Sequence, residues 1–582
     1  MHLSPVSDGL VTEKPKPTPD QINRFRKVKP VDLSSSLSKE AFSQTKNRAL
    51  TAGLTTYAGS WEKADALHLL RRTLFGVKKS ELDQFASLSF EEAVTAILNV
   101  STTPNPPVNN YNNAAEGVED PGVPFGDTWI EAPYGFDYEG QRVGSLKTWL
   151  IGNMINQEAN ITEKLILFWH NLLVTESWGI FIGRVSYQYF KVIRDHAFGN
   201  FKELIKQITI DPAMLYYLNG NSNVKESPDE NYARELQELF CLGKGPNSQY
   251  TEGDVQAAAR VLTGWAVKWQ DVLDGGLVAP VFRPWNHDTS SKQFSSFYGD
   301  RLITGKTGDA GADELDELLD MIFDNNEVAF YICRRLYNFF VYSEIDEATE
   351  ANVIKPLATI FRDNNYEIRP VLEALFRSEH FFDAQNRGVM LKNPADHLVG
   401  AWRTLEMQYD DPSDLHMVHK THASMLWSMA GMGMEMADPP SVAGWPAYYQ
   451  APQFDKSWIT TDTISSRALR IDSMIFWGFW VTPELQIKAD LIGFIGQFTT
   501  PELPGPMLEE AAGLLLGLTL SDEAIGRLKA ILLSGQSTDS YWTAAWYDHI
   551  NDPTNEEYRL IIENRLKPTF QSMLQMGEFQ LM

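Results

Sequence analysis

ITEKLILFWHNLL, residues 161–173, decides the fold class. Ile161, Leu165, Phe168, Trp169 and Leu172 recur at i, i+4, i+7, i+8 and i+11, which is one apolar stripe of an α-helix. His170 points about 130° away from that stripe at 100° per residue. It is therefore exposed, or turned toward a second and more polar layer. The same periodicity runs through 145–245, including SYQYFKVIRDHAFGNFKELIKQITI, and returns at 311–380, 391–430 and toward the C-terminus. The expected fold class is mainly α, a multi-helix body with a small β-hairpin or irregular excursion near 270–300, where Gly275-Gly276, Pro280 and alternating aromatics occur.

Helix starts are legible around this body. ADALHLLRRTLFG at 64–76 reads as a helix, followed by KSELDQFASLS with Ser80 as N-cap and by SFEEAVTAILN with Ser89 as N-cap. Thr251 with Asp254 caps a helix over DVQAAARVLTGWAVKW. Residues 101–140 are rich in Pro, Asn and Gly, a long loop of the functional or disordered kind. Residues 1–60 read as an extended or disordered arm, with order only if it docks. Beyond it come a 61–430 helical body carrying the polar site, and a 431–582 region of Trp/Pro loop and helices packed on that body.

Composition bounds the function. The chain has 582 residues, 43% hydrophobic and 12% aromatic, with 16 Trp, enough for a packed interior of more than one lobe. A formal charge of −26 argues against a nucleic-acid partner and favours solubility and cation binding. No apolar run reaches 18 residues, so no membrane span is expected. The N-terminal stretch lacks an apolar signal region, which makes a cytoplasmic location the default. Cys241 and Cys333 stand alone, so neither a disulfide framework nor a cysteine zinc site is expected, and without CxxCH there is no covalent c-type haem.

Polar residues of catalytic type gather between Asn231 and Gly299. In NYARELQELFCLG, Asn231, Arg234, Glu235 and Glu238 follow i, i+3, i+4, i+7 opposite an apolar face. They form either a solvated row with an Arg234–Glu238 pair or the wall of a cleft. His287-Asp288 is either an acid/base pair or a turn. NGNSNVKESPDE at 219–230 approximates a calcium loop but has Val224 where glycine is required. His416, His419 and His422 in HMVHKTH read as a surface helix. No G-x-S-x-G, phosphate loop or HExxH occurs.

ALHLLRRTLFG, LILFWHNLLVT, DPAMLYYLNG, NYARELQELFCLG, YTEGDVQAAARVLTGW, the HD of NHDTSSKQF, RRLYNFFV, PPSVAGWP and GEFQ follow one another from about residue 61 to the end. In that order they resemble the bacterial domain-of-unknown-function family 1800. The resemblance implies a mainly helical bacterial protein, and as a partner a neighbouring exported protein resembling the alkaline phosphatase superfamily. It also implies export or a cell-surface location as the alternative to the cytoplasm. Phe240 stands where many members carry His. The family's recurring polar residues map onto His170, Asn171, Asn231, Arg234, Glu235, Glu238, His287 and Asp288. Gly76, Trp265, Gly444, Trp445 and Pro446 are explained by turns and packing.

Two functional readings follow. In the first, an enzyme, His170, Arg234, Glu235, Glu238, His287 and Asp288 are the catalytic set. A divalent cation is the candidate cofactor, held by Glu235, Glu238 and His287, and Glu235 shares one hydrogen-bonded cluster with His170 or His287. In the second, an assembly or partner-binding protein, the arm, the 101–140 loop and PPSVAGWPAYY are contact surfaces, and self-assembly is included.

Overall fold

The computed structural model describes residues 52–480 and 486–582. Most of the expected arm, residues 1–51, lies outside the described residues. Residues 53–57 pair with 377–380: Tyr57 N–H donates to Arg377 O at 2.8 Å and Glu379 N–H to Thr55 O at 2.8 Å.

Helices dominate, as the periodicity requires. Among the described residues, strands amount to three antiparallel ribbons of two or three residues per strand. Trp265–Val267 pairs with Pro280–Phe282 and Lys292–Gln293 with Leu302–Ile303, so the expected excursion is a pair of ribbons over 265–303. A third ribbon, Phe479–Trp480 with Gln486–Ile487, was not expected. Two strand residues carry too little alternation to be seen in a sequence.

The helix Thr162–Leu172 is buried along all eleven residues. Its apolar stripe meets aromatic partners: Phe168 lies edge-on to Phe339 at 5.3 Å, and Trp169 stacks on Phe201 at 5.4 Å. Its polar residues face a second layer. Glu163 pairs with Arg194 at 2.8 Å, Lys164 with Asp396, and Thr162 Oγ1 accepts from Ser101 N–H at 3.1 Å. The second-layer alternative for His170 is the one the fold adopts.

Local signals hold with two exceptions, Ser80 and the far end of the helix expected over DVQAAARVLTGWAVKW, which stops at Val261 because Gly264 takes φ 97° and Trp265–Val267 leaves as a strand. Ser89 Oγ accepts from Glu92 N–H at 3.3 Å at the start of Phe90–Ile97, and Thr251 with Asp254 forms the capping box of Glu252–Val261. Ser80 is not a cap, because its helix begins at Lys79 with Glu81 accepting from Lys78 N–H. The 101–140 loop is ordered around Arg142. That guanidinium reaches Asp120 at 2.9 Å and Glu139 at 2.8 Å in the interior, and Trp129 is wholly buried beside it.

The segment 435–446 crosses the end of the buried helix. Trp445 N–H donates to Asn171 Oδ1 at 2.9 Å. Gly444 sits at φ 92°, and a Cβ there would lie 2.4 Å from Asn171 O. Left-handed backbone and close approach both exclude a side chain. Gly444→Ala is expected to destabilise the protein by about 2–4 kcal/mol. A urea-unfolding midpoint equal to wild type would show that the crossing does not hold the core.

Candidate functional site

The helix over 230–242 is not one α-helix. Glu230–Glu235 is α, and Leu236–Cys241 widens to a π turn in which Leu242 N–H donates to Gln237 O at 2.9 Å. The wider turn rotates Glu238 off the expected stripe. Arg234 accordingly pairs with Glu230 at 3.0 Å and Glu252 at 2.7 Å, while Glu238 pairs with Lys244. Glu235 is half-buried, with Oε2 shielded from water and lacking a hydrogen-bond partner among the described residues. Burial, and then the charge of Glu238, raises its carboxyl above the ordinary value.

His287 and Asp288 belong elsewhere. His287 Nδ1 lies 2.9 Å from Thr263 O and Nε2 lies 3.0 Å from Glu314 Oε1, whose second oxygen binds Lys292 at 2.5 Å. A ring with Nδ1–H donated to Thr263 O and Nε2 beside a carboxylate has both nitrogens engaged. Burial pushes the Glu314 carboxyl up, but His287, Lys292 and the Lys306 amide outweigh it and hold it low. Asp288 is bound by Arg260 at 2.6 Å. Burial raises its carboxyl, and the Arg260 and Ser290 hydrogen bonds prevail and bring it to about 2.

The proposed metal trio therefore needs correcting. Both nitrogens of His287 are taken by protein partners, and the π turn sends Glu238 to Lys244. Among the described residues no three His, Cys, Asp or Glu side chains gather so as to hold a metal ion. Glu235 also makes no hydrogen bond to His170 or His287, so the expected shared cluster does not form.

His170 is buried against Tyr189, Phe190 and Trp445. Tyr189 O–H donates to Leu173 O at 2.5 Å, so it accepts from His170 Nδ1 at 3.0 Å, which fixes the Nδ1–H tautomer. Nε2 finds no hydrogen-bond partner among the described residues. Burial, aided by Lys147, pulls the imidazole down to about 3, which makes it a poor base at neutral pH.

The polar cluster the fold does assemble lies around Lys147. Its ammonium is buried, 2.7 Å from Glu435 and 2.5 Å from Asp438, and 4.5 Å from the centre of the Trp178 ring. Trp178 Nε1–H donates to Glu435 at 2.8 Å, and its backbone N–H to Asp438 at 2.9 Å. Beside it Tyr217 O–H donates to Glu176 at 2.8 Å. Burial raises the Tyr217 phenol, and the charges of Glu176, Asp438 and Glu235 add to the shift. Glu235 is felt electrostatically at Tyr217 and Lys147 at His170, while Arg234, Glu238, His287 and Asp288 make their ion pairs in other networks. Two non-glycine residues here, Ala437 at φ 64° and Phe181 at φ 53°, occupy the left-handed region. Such strain concentrates at functional sites.

Lys147, Glu176, Trp178, Tyr217, Glu435 and Asp438 escaped sequence reasoning. Each of the last five sits inside or just beside a segment of the family pattern: LILFWHNLLVT, DPAMLYYLNG or PPSVAGWP. Lys147 had no signal, being a lone lysine on a helix, Phe136–Ile155. The other weak motifs have local roles. His416, His419 and His422 bind Asn113, Thr148 and Tyr409 separately, and Asn223 ties a turn by bonding Ala259 O and Asp229 N–H. The histidine helix Leu415–Ala430 is half-sunk, with His422 buried, so the surface reading holds for only part of it.

The profile of DUF1800, a family described as proteins of unknown function, matches residues 68–581, nearly the whole chain. The chain belongs to DUF1800. Neither a curated protein nor a solved structure matches it. Among the described residues of this DUF1800 chain, no helix is long and apolar enough to cross a membrane.

The His287–Glu314–Lys292 network makes a testable claim about stability. A carboxyl whose value is depressed on folding stabilises above its unfolded value, here 4.5, and loses that contribution as pH falls through its folded value. Glu314→Gln, which leaves Lys292 unpaired in the interior, is expected to cost about 3–5 kcal/mol at pH 7. The deficit relative to wild type should be constant above pH 5 and shrink below about 4.5. A deficit that grows on acidification would contradict this assignment.

Proposed function

We propose that this chain is a partner-binding protein whose docking face is the Trp178 cluster, and that the face takes a cationic side chain. The observation that carries this reading is the combination of an exposed indole with excess carboxylate. Trp178 is 38% exposed, Glu435 and Asp438 share the buried Lys147 ammonium, and Glu176 and Glu235 bring two further negative charges to the adjoining Tyr217. Trp178, Phe181 and Phe136 continue as a row with ring centres 6.3 Å apart, and Phe136 is 72% exposed. An aromatic face beside an excess of carboxylates attracts a guanidinium or ammonium group, at about 0.5–2 kcal/mol per cation–π contact. The net charge of −26 steers such a partner inward. The neighbouring exported protein resembling the alkaline phosphatase superfamily is the first partner to test.

A labelled arginine-rich decapeptide supplies the direct probe. Trp178→Ala combined with Glu435→Gln is expected to weaken its binding at least about tenfold, the loss of roughly 1.4 kcal/mol. Glu523→Gln combined with Glu556→Gln, remote exposed acids, should leave binding unchanged. Equal weakening by both pairs would reduce the effect to net charge and end the docking reading.

One observation favours an enzyme instead: the Glu235 carboxyl, raised by burial and carrying an oxygen without a partner, is a candidate proton donor beside Tyr217. Under this reading a panel of chromogenic esters, phosphomonoesters and glycosides should reveal turnover that Glu235→Gln removes while peptide binding persists. Turnover unaffected by Glu235→Gln, or none with any of them, would count against it.

A further inference from the structure

The C-terminal segment GEFQLM packs against three cations from separate parts of the chain, Arg71, Lys392 and Arg467. Arg71 Nη2–H donates to Leu581 O at 2.5 Å. Arg467, fully buried on the helix Thr461–Asp472, reaches Gln580 Oε1 at 3.2 Å and Lys392 O at 2.8 Å, and its Nε finds no partner among the described residues. Lys392 Nζ lies 3.8 Å above the Phe579 ring and, among the described residues, makes no hydrogen bond of its own.

These three side chains are short of negative charge. Among the described residues, no carboxylate pairs with Arg71, Lys392 or Arg467 within 4 Å. The acid whose charge reaches both Lys392 and Arg467 is Asp396, and it is already paired with Lys164. Burial draws the guanidinium groups of Arg71 and Arg467 down to about 10 each. Burial, and then the charge of Arg71, draws the Lys392 ammonium well below its ordinary value. In a chain with 76 acidic residues against 50 basic ones, a surplus of cations that is buried at Arg467 and half-buried at Arg71 and Lys392 is a local exception with an energetic cost.

A cavity adjoins them. It measures about 30 Å³ and is lined by Arg71, Lys392, Asp396, Thr404 and Phe579 among others. By the same measure one water needs roughly 10–15 Å³, so about two or three water-sized atoms fit. That is the size of a carboxylate group, smaller than a phosphate with its four oxygens.

We infer that this cavity binds a carboxylate-bearing small ligand, with Arg71 and Lys392 as the contacting cations and Arg467 as the positioning charge behind them. The arrangement suits the ligand on three counts. Arg71 presents a planar donor fork that matches a carboxylate. Lys392 presents donors that no acceptor among the described residues uses. The Phe579 ring and Leu514 supply an apolar wall for the carbon to which the carboxylate is attached. The site is separate from the Trp178 face in sign as well as in residues, since one collects carboxylates and the other cations.

Acetate is the probe, compared with chloride at equal ionic strength on the full chain. Acetate is expected to raise the thermal midpoint by about 2 °C or more at saturating concentration, since a ligand that binds only the native state stabilises it. Lys392→Met, which keeps the stem length, should abolish the acetate-dependent rise while folding normally. Its midpoint in chloride should equal or exceed that of wild type, because an unpaired half-buried charge has been removed. Line broadening of carbon-13 acetate by wild type but not by Lys392→Met, read at a temperature where both are folded, gives the same answer independently of stability. No acetate effect on wild type, or an equal effect on both proteins, overturns the site. A larger Lys392-dependent rise with phosphate than with acetate overturns the carboxylate assignment.

Discussion

Complete burial of the Thr162–Leu172 helix is the constraint on which the rest of the structure depends. A helix with one apolar stripe normally leaves its other face to water. Here the other face carries Thr162, Glu163, Lys164, His170 and Asn171, and none of them reaches solvent. Buried polar groups must be matched, and buried charges must be paired, or the folded state is lost. Together these residues draw in four pieces of chain: Ser101, the helix Gly183–His196 through Arg194 and Tyr189, Asp396, and Trp445. Five requirements on one short helix position the 101–140 loop, two further helices, and the 435–446 crossing.

The polar cluster is a consequence of that arrangement. Asn171 holds the crossing at Gly444-Trp445, and the same crossing presents Glu435 and Asp438 to Lys147 and Trp178 a few residues earlier. The left-handed Ala437 turns the chain into position, and Ser177 N–H donates to Ala437 O at 3.0 Å. His170 contributes through packing and its bond to Tyr189, as a neutral ring. Its place in the family pattern is accounted for by the joint it makes with Trp445 and Tyr189.

The separation of the polar row in NYARELQELFCLG has an equally local cause. Residues 236–241 wind as a π turn, and 100° per residue ceases to apply after Glu235. Arg234 and Glu238, which an α-helix would pair, then face Glu252 and Lys244 instead. His287-Asp288 reads as turn and acid/base pair alike, and the decision comes from Glu314, 26 residues beyond Asp288, and from Arg260, 28 residues before it.

The sequence by itself determined the helical class, the position of the buried helix, two of its neighbouring caps, the ribbon excursion and the family. These rest on periodicity, capping chemistry and the order of motifs, all of which act over a few residues. Only the tertiary structure decided which polar residues meet. Lys147, Trp178, Tyr217, Glu435 and Asp438 come from four separate segments, and the cations Arg71, Lys392 and Arg467 span almost 400 residues. Charge pairing in an interior is set by what packing brings within a few ångströms, at a strength that low dielectric magnifies. No spacing rule along the chain encodes that distance.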